Sequence, residues 1–405
     1  MLPSILAKQL EKGIGDYIET TFPMTNKPFQ GSVRKMLDSK DAVWREPYVS
    51  VRLPFRLAED WESPFQAVPV GFVPFVHQQT AFERLTGEDG RSTLIATGTG
   101  SGKTECFQYP VLEYCYRNRG KRGIKALIIY PMNALASDQA ERIAKMIHNS
   151  PLLRGNVTVG MYVGGFDGTP TTMMGEKTVI TDHEALISNP PDILMTNYKM
   201  LDYLLVRPKD ANLWKDNDSD TLKYIAVDEF HTFDGAQGTD LACLLRRLKS
   251  RLGIRDGYLC CVGTSATMGT DESRDAILTY ASKVFGEPFD QDAIITEDRL
   301  SPSEFFAEQE VTDFTMPSAE QIEELNRLTE QDDQEAFLQA AVKAWTDLKD
   351  VDVLTEEGRY ELGRHLMHHS FMQAMITLMK GNYFQVSRII DELSSECQAN
   401  FYIVR

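Results

Sequence analysis

The chain has 405 residues, 42% hydrophobic and 25% charged, which is ordinary globular composition and enough for two or three folding units with sizeable cores. Its formal net charge of −17 argues against a nucleic-acid binder only until it is divided: residues 271–405 hold 11 of the 42 Lys+Arg and 28 of the 59 Asp+Glu, leaving 31 of each sign before residue 271. The first two-thirds can therefore face phosphates, whereas the acidic last third is not expected to touch a nucleic-acid backbone.

The N-terminal stretch MLPSILAKQLEKG meets Lys8, Glu11 and Lys12 early, and no segment runs 18 apolar residues, so neither a signal peptide nor a membrane span is read. Residues 1–70 are expected to be an accessory segment packed on the core, with a helix over Ile5–Thr21 and short pieces broken by Pro3, Pro23, Pro28, Pro47, Pro54, Pro64 and Pro69. From residue 92 short β-rich runs alternate with helical patterns. The strands are expected at Thr93–Ala96, Ala126–Tyr130, Val157–Val163, Ile193–Thr196, Tyr224–Val227 and Leu259–Gly263, and helices at Thr104–Tyr116, Ala134–Ile147 and Leu241–Leu252. The strands are mostly continuous apolar runs, as strands covered on both faces should be, so residues 71–288 are expected to form one α/β domain with a doubly wound parallel sheet. Residues 165–190 and 207–220 read as polar loops. Residues 289–405 read as a separate, acidic helical unit.

Six cysteines, Cys106, Cys115, Cys243, Cys260, Cys261 and Cys397, are scattered without a C-x-x-C pair, which points to a reducing cytoplasm. His365, His368 and His369 have helical spacing but no cysteine or H-E-x-x-H companion, so they are read as surface or core histidines. The methionines Met367, Met372, Met375 and Met379 read as helical core.

The strongest chemical signal is Thr97-Gly98-Thr99-Gly100-Ser101-Gly102-Lys103-Thr104, directly after an apolar strand and before a helix. Glycines let backbone N–H groups wrap a phosphate chain, the helix N-terminus adds its positive end, Lys103 would reach the β and γ phosphates, and the Thr104 hydroxyl would sit on Mg²⁺. Thr97 stands where the general phosphate-loop pattern has glycine. The second signal is Asp228-Glu229-Phe230-His231, at the end of the run Tyr224–Val227. A carboxylate at that strand tip can hold Mg²⁺ through water (Asp228), and its neighbour can orient or deprotonate the attacking water (Glu229).

These two motifs resemble motifs I and II of superfamily 2 helicases of the DEAD/DEAH type, and further elements follow in that family's order. Phe75-Val76-His77-Gln78 resembles the glutamine motif, which implies that Gln78 reads the adenine edge with Phe75 or Phe72 stacked nearby. Pro131-Met132-Asn133-Ala134-Leu135, Gly164-Gly165 and Thr196-Asn197-Tyr198 resemble the elements that line the groove for one nucleic-acid strand. Thr264-Ser265-Ala266-Thr267 resembles motif III, so Ser265, Ala266 and Thr267 are the expected coupling residues. The resemblance implies a RecA-like fold, ATP and Mg²⁺ as cofactors, and a catalytic set of Lys103, Asp228, Glu229 and His231. The phrases Ala96–Glu105 and Asp234-Gly235-Ala236-Gln237-Gly238, followed by Leu241–Leu248, are similar to large Lhr-type and mitomycin-repair-factor-like bacterial helicases, some of which serve in anti-phage systems.

A strand groove needs N–H groups, small hydroxyls and cations along the phosphates. Pro131, Asn133, Gly164, Gly165, Thr196 and Asn197 are the nucleic-acid candidates. The basic runs Arg117, Arg119, Lys121, Arg122, Lys125 and Arg246, Arg247, Lys249, Arg251 could add cations, although such runs are ordinarily solvated faces. The family places ATP between two RecA-like domains, and no second α/β block or Q-x-x-G-R-x-G-R signature follows Thr267. The chain is therefore expected to be a fragment whose second RecA-like domain lies outside it. The expected function is the ATP-binding core of a DNA helicase or translocase, in repair or anti-phage defence. Its alternatives are a nucleotide-gated scaffold recruiting protein partners through the acidic helices, and the motor subunit of a restriction-type enzyme.

Overall fold

The computed structural model describes residues 3–39, 47–87, 89–165, 168–266, 274–307, 311, 317–330, 333–346, 348 and 351–397. The chain divides into two compact units, one formed by residues 55–299 and the other by residues 1–54 together with 300–405.

Residues 55–299 form a RecA-like α/β unit around a seven-stranded sheet. Its strands are β1 (Thr93–Ala96), β2 (Ala126–Tyr130), β3 (Val159–Tyr162), β4 (Ile193–Asn197), β5 (Tyr224–Val227), β6 (Cys260–Ser265) and β7 (Ile294–Thr296), in the order β3-β4-β2-β5-β6-β1-β7. Every pairing is parallel. All residues of β1, β2, β5 and β6 are buried. Alternation then divides the side chains between two cores. Ala126, Ile128 and Tyr130 of β2 belong to one core, Leu127 and Ile129 to the other. The first core is closed by α1 (Val76–Leu85), α2 (Lys103–Arg117) and α3 (Asn133–Asn149), through residues such as Phe82, Phe107 and Ile143. The second is closed mainly by α5 (Tyr198–Val206), α6 (Gly235–Leu252) and α7 (Arg274–Phe285), through Leu204, Leu245 and Phe285. Gly263 lets the turn after β5 pack flat on β6, since a Cβ there would stand 2.8 Å from Leu94 Cδ2 and 3.2 Å from Phe230 Cγ.

The six expected strands are present with ends shifted by up to two residues, but β7 is an addition. Three residues are too few for a periodic signal, and their place is set by pairing with β1. The stretch 165–190 holds the short helix α4 (His183–Ser188), capped by Asp182 Oδ1, which accepts from Ala185 N at 2.8 Å. The stretch 207–220 holds a 3₁₀ helix, Pro208–Trp214, whose Leu213 and Trp214 are buried. Among the described residues no helix is long and apolar enough to cross a membrane.

The other unit is mainly helical, with the longest helix at Pro3–Thr21 and a two-stranded antiparallel pairing of Tyr48–Val49 with Phe384–Gln385. Its small core contains Met379, Ile389 and Leu393, with Met375 and Phe371 packed against it. His369 is buried, its Nε2 3.2 Å from the Trp345 carbonyl. Residues 1–54 thus join the C-terminal helices through backbone pairing, a link between sequence-distant segments that local patterning cannot show.

The basic runs serve this architecture. Both lie toward the edge where the strands begin: the first leads into β2, and the second ends α6. Lys125 is 1% exposed and pairs with Asp192, whose carboxylate also accepts from Thr158 N at 2.7 Å and Thr158 Oγ1 at 2.8 Å. Lys121 pairs with Asp220, Arg117 with Glu113, and Arg247 with Asp202. Lys249 pairs with Glu287 and Asp256, and Arg251 donates to the Leu205 carbonyl. Removing Asp192 would strand the buried Lys125 charge, so Asp192→Ala is expected to destabilise the α/β unit by about 3–5 kcal/mol in urea denaturation. A loss under about 1 kcal/mol would show that water reaches Lys125 and solvates it.

Candidate nucleotide and nucleic-acid site

In a parallel sheet, loops that leave the carboxyl ends of the strands share one edge, where ligands bind. The strand order divides that edge. The phosphate-loop candidate follows β1, Ser265 ends β6, and Asp228 and Glu229 follow β5, so three adjacent strands collect the nucleotide candidates. Pro131 and Asn133 follow β2, Gly164 follows β3, and Thr196 and Asn197 end β4, so the neighbouring three collect the nucleic-acid candidates.

In the loop after β1, Gly100 and Gly102 have φ of +80° and +76°, and Gly102 caps α2 just before Lys103. Thr97, the departure from glycine, has a structural role: its Oγ1 lies 2.7 Å from Ser101 Oγ in a buried bond that spans the loop. The Ser101 carbonyl lies 2.9 Å from His77 Nε2. A carbonyl only accepts, so Nε2 carries the proton. Burial lowers the His77 pKa from its ordinary value and keeps the ring neutral. Gln78 is buried at the first turn of α1; its Oε1 accepts from Phe75 N at 3.0 Å and its Nε2 donates to the Gly102 carbonyl at 3.4 Å. Gly98 N donates to Glu297 Oε2 at 2.9 Å. Nothing in the sequence marks Glu297, and His77 is marked only by its place in the motif. Only His77's position beside Gln78 could have hinted at its contact.

Across the cleft, Lys103 Nζ lies 3.9 Å from Glu229 Oε1. Asp228 is 6% exposed and its Oδ1 accepts from the Thr264 hydroxyl, while Glu229 N donates to Thr264 Oγ1 at 3.1 Å. Glu229 itself has φ of +49°, a left-handed backbone conformation that side chains rarely adopt. His231 Nδ1 is 3.4 Å from Glu229 Oε2 and 3.2 Å from Ser265 Oγ, so motif II is in contact with the end of β6. Ala266 follows at the strand end; Thr267 lies outside the described residues. The Asp228 carboxylate and the Thr104 hydroxyl are hard oxygen donors, the type that suits Mg²⁺ when phosphates and water complete the shell.

On the other half of the edge, Asn133 Nδ2 donates to the Gly164 carbonyl at 2.7 Å, and Asn197 Nδ2 donates to Asn133 Oδ1 at 2.8 Å. Asn197 also caps α5, accepting from Met200 N at 2.8 Å. The hollow here, about 560 Å³, is lined by Pro131, Gly164 and Asn197 and also by Met132, Lys199 and Phe233. Gly165, at φ of +66°, turns the chain beside Gly164. Thr196 is fully buried and donates to the Tyr162 carbonyl at 2.6 Å, so its side chain braces the groove from beneath. Lys199 supplies a cation at the hollow; isolated in sequence, it belongs to no charge run.

A family model described as DEAD/DEAH box helicase matches residues 75–276, which takes in every element of this edge from Gln78 to Ser265. The chain belongs to the DEAD/DEAH box helicases. Among its relatives, the Druantia protein DruE of Escherichia coli (strain UMEA 4076-1) is 26% identical over 65% of this chain and 20% of that protein. The uncharacterized ATP-dependent helicase YprA of Bacillus subtilis (strain 168) is 30% identical over 51% of this chain and 24% of its own length. The helicase chain thus spans about a quarter or less of these two proteins. A crystal structure of the DUF1998 helicase MrfA bound to DNA and AMPPNP aligns with 79% of this chain and 45% of its own, at 20% identity and a TM-score of 0.47.

The geometry around Gly102 gives a direct test. A Cβ there would stand 2.2 Å from Gln78 Nε2, at a φ side chains rarely adopt. Gly102→Ala is therefore expected to weaken Mg·ATP binding by about tenfold or more, read by calorimetric titration of the full chain. A wild-type isotherm would mean that the helicase's loop does not cradle the phosphates.

Proposed function

We propose that this helicase chain is the ATP-binding core of a nucleic-acid-dependent motor that acts on DNA. The observation that carries the reading is the approach of Lys103 to Glu229, beside an Asp228 fixed by Thr264, at the end of three adjacent strands. In this reading the loop amides and Lys103 hold the phosphates, and Gln78 turns part of its carboxamide to the adenine. Thr104 and Asp228 would hold Mg²⁺, which would offset charge on the β and γ phosphates. Glu229 orients the attacking water and accepts its proton. His231, between Glu229 and Ser265, reports the state of that site to the neighbouring strand end. Asn133, Gly164 and Asn197 face one strand of nucleic acid, with Lys199 near its phosphates.

Two further elements belong to the proposal. The arginines that stabilise charge on the transferred phosphoryl group would come from a second RecA-like domain outside this chain. What supports this is the small share of its relatives that the chain spans, and the mainly helical character of the described residues beyond Arg299. Such an arginine is worth roughly three to five orders of magnitude in turnover, so the 405-residue chain is expected to bind Mg·ATP yet turn it over slowly. Fast, DNA-stimulated hydrolysis by this chain alone would refute the division. The similarity to Lhr-type and mitomycin-repair-factor-like helicases points to DNA repair or anti-phage defence in the cytoplasm. The excess of acid in the last third favours protein partners for the helical unit, and with them the second reading, a nucleotide-gated scaffold.

Glu229→Gln separates the readings, because it removes the base but keeps the shape. For a motor, the parent protein carrying it should bind Mg·ATP within about threefold of wild type while losing activity at least about a hundredfold. Full biological activity of that variant would favour the scaffold. Asn197→Ala should weaken single-stranded DNA binding about tenfold in fluorescence anisotropy without changing Mg·ATP affinity. Parallel loss of both affinities would place Asn197 in the fold and not in the groove.

A further inference from the structure

We infer that Glu297 and Arg299 are positioning residues of the phosphate loop, holding its Gly98 amide so that the amides that follow face the nucleotide. The inference rests on the ATP-binding reading above and deepens it. Gly98 N belongs to a loop outside helix and sheet, and its acceptor is Glu297 Oε2, 199 residues away along the chain. Glu297 lies one residue beyond β7, and β7 pairs with β1, the strand that feeds the loop. Arg299 fixes the carboxylate, with Nε 2.8 Å from Glu297 Oε1 and Nη2 3.3 Å from Oε2.

The same arginine reaches the loop's other anchor. Its guanidinium stands 3.8 Å from the centroid of the Phe55 ring. Phe55 in turn packs on Phe75, at 5.0 Å between centroids, and on His77, at 5.3 Å. His77 is the residue bonded to the Ser101 carbonyl. Three short backbone bonds hold these segments side by side: Arg56 N to Asp298 O at 2.9 Å, Val76 N to Arg56 O at 2.9 Å, and Ala58 N to Pro74 O at 2.8 Å. One brace therefore grips the loop at Gly98 from one side and at Ser101 from the other, leaving Gly100 between them, at positive φ, to present its amide. Loss of the Glu297 carboxylate frees the Gly98 end, and the loop must then be ordered by the nucleotide at the cost of affinity.

The test uses the full chain, with Mg·ATP titration and hydrogen exchange followed by mass spectrometry. Glu297→Ala is expected to weaken Mg·ATP binding about tenfold and to speed exchange over residues 97–102 without nucleotide, while exchange in β2 stays at the wild-type rate. Glu297→Gln keeps an oxygen that accepts from Gly98 N and should bind within about threefold of wild type. Unchanged affinity in Glu297→Ala overturns the inference alone. So does a Glu297→Gln variant as weak as Glu297→Ala, since charge and not the bond would then matter. So does faster exchange in β2 alongside the loop, which marks general loosening of the fold. A wild-type chain with no affinity for Mg·ATP overturns the ATP-binding reading, and this inference with it.

Discussion

A phosphate loop can offer its amides to a ligand only if its backbone is held by something other than the ligand. Helix and sheet cannot do this, because the residues that wrap the phosphates must leave their N–H groups unpaired and adopt left-handed turns, as Gly100 and Gly102 do. The hold has to come from side chains. In this helicase it comes from the Thr97–Ser101 bond within the loop, from His77 and Gln78 at the start of α1, and from Glu297 after β7. Each of these is placed by an element that borders β1 or packs near it, so the order of the sheet fixes the loop as firmly as the loop's own sequence.

The same order separates two sets of candidate residues along one sheet edge. Strands β5, β6 and β1 are neighbours, and so are β3, β4 and β2, with the boundary at the β2–β5 pairing. The nucleotide candidates and the nucleic-acid candidates are thereby separated by a single strand spacing, about 5 Å. The basic runs do not mark either half. Most of the conspicuous Lys and Arg runs pair internally at the opposite edge, where they hold strand beginnings and helix ends in place.

Legibility followed range. The phosphate loop and the Asp228-Glu229 turn could be read because each is a strand, a tight turn and a helix or turn in immediate succession, with its chemistry in adjacent residues. The hydrophobic runs of β1, β2 and β5 were equally plain, since a strand covered on both faces shows no polar interruption. What escaped was carried by contacts between distant residues. Three-residue β7 has no period to detect. Glu297 resembles any other carboxylate until β7 brings it to Gly98. Lys125 sits in a basic run and reads as solvated, yet it is buried against Asp192, whose carboxylate is held by the two groups of Thr158. Thr196 belongs to a motif that lines a groove, but strand alternation turns its side chain inward, onto the Tyr162 carbonyl.

The two halves of the edge meet at one short turn. The 3₁₀ helix Phe230–Thr232 begins directly after Glu229, and its His231 stands between Glu229 and Ser265. Thr232 and Phe233 border the hollow that Pro131, Gly164 and Asn197 also line. The Phe233 carbonyl accepts from the Tyr280 hydroxyl on α7, and Phe230 packs against Tyr280 and Phe285. A shift of Glu229 against Lys103 cannot be absorbed inside the turn, because four consecutive residues are tied to β6, α7 and the groove wall. It must move the groove wall or strain the turn, and the packed aromatic side favours the first, since a core at crystal-like density yields less readily than an exposed rim. Under the proposed function, this turn is the short mechanical link between the phosphate side and the strand side, with no long relay of side chains needed.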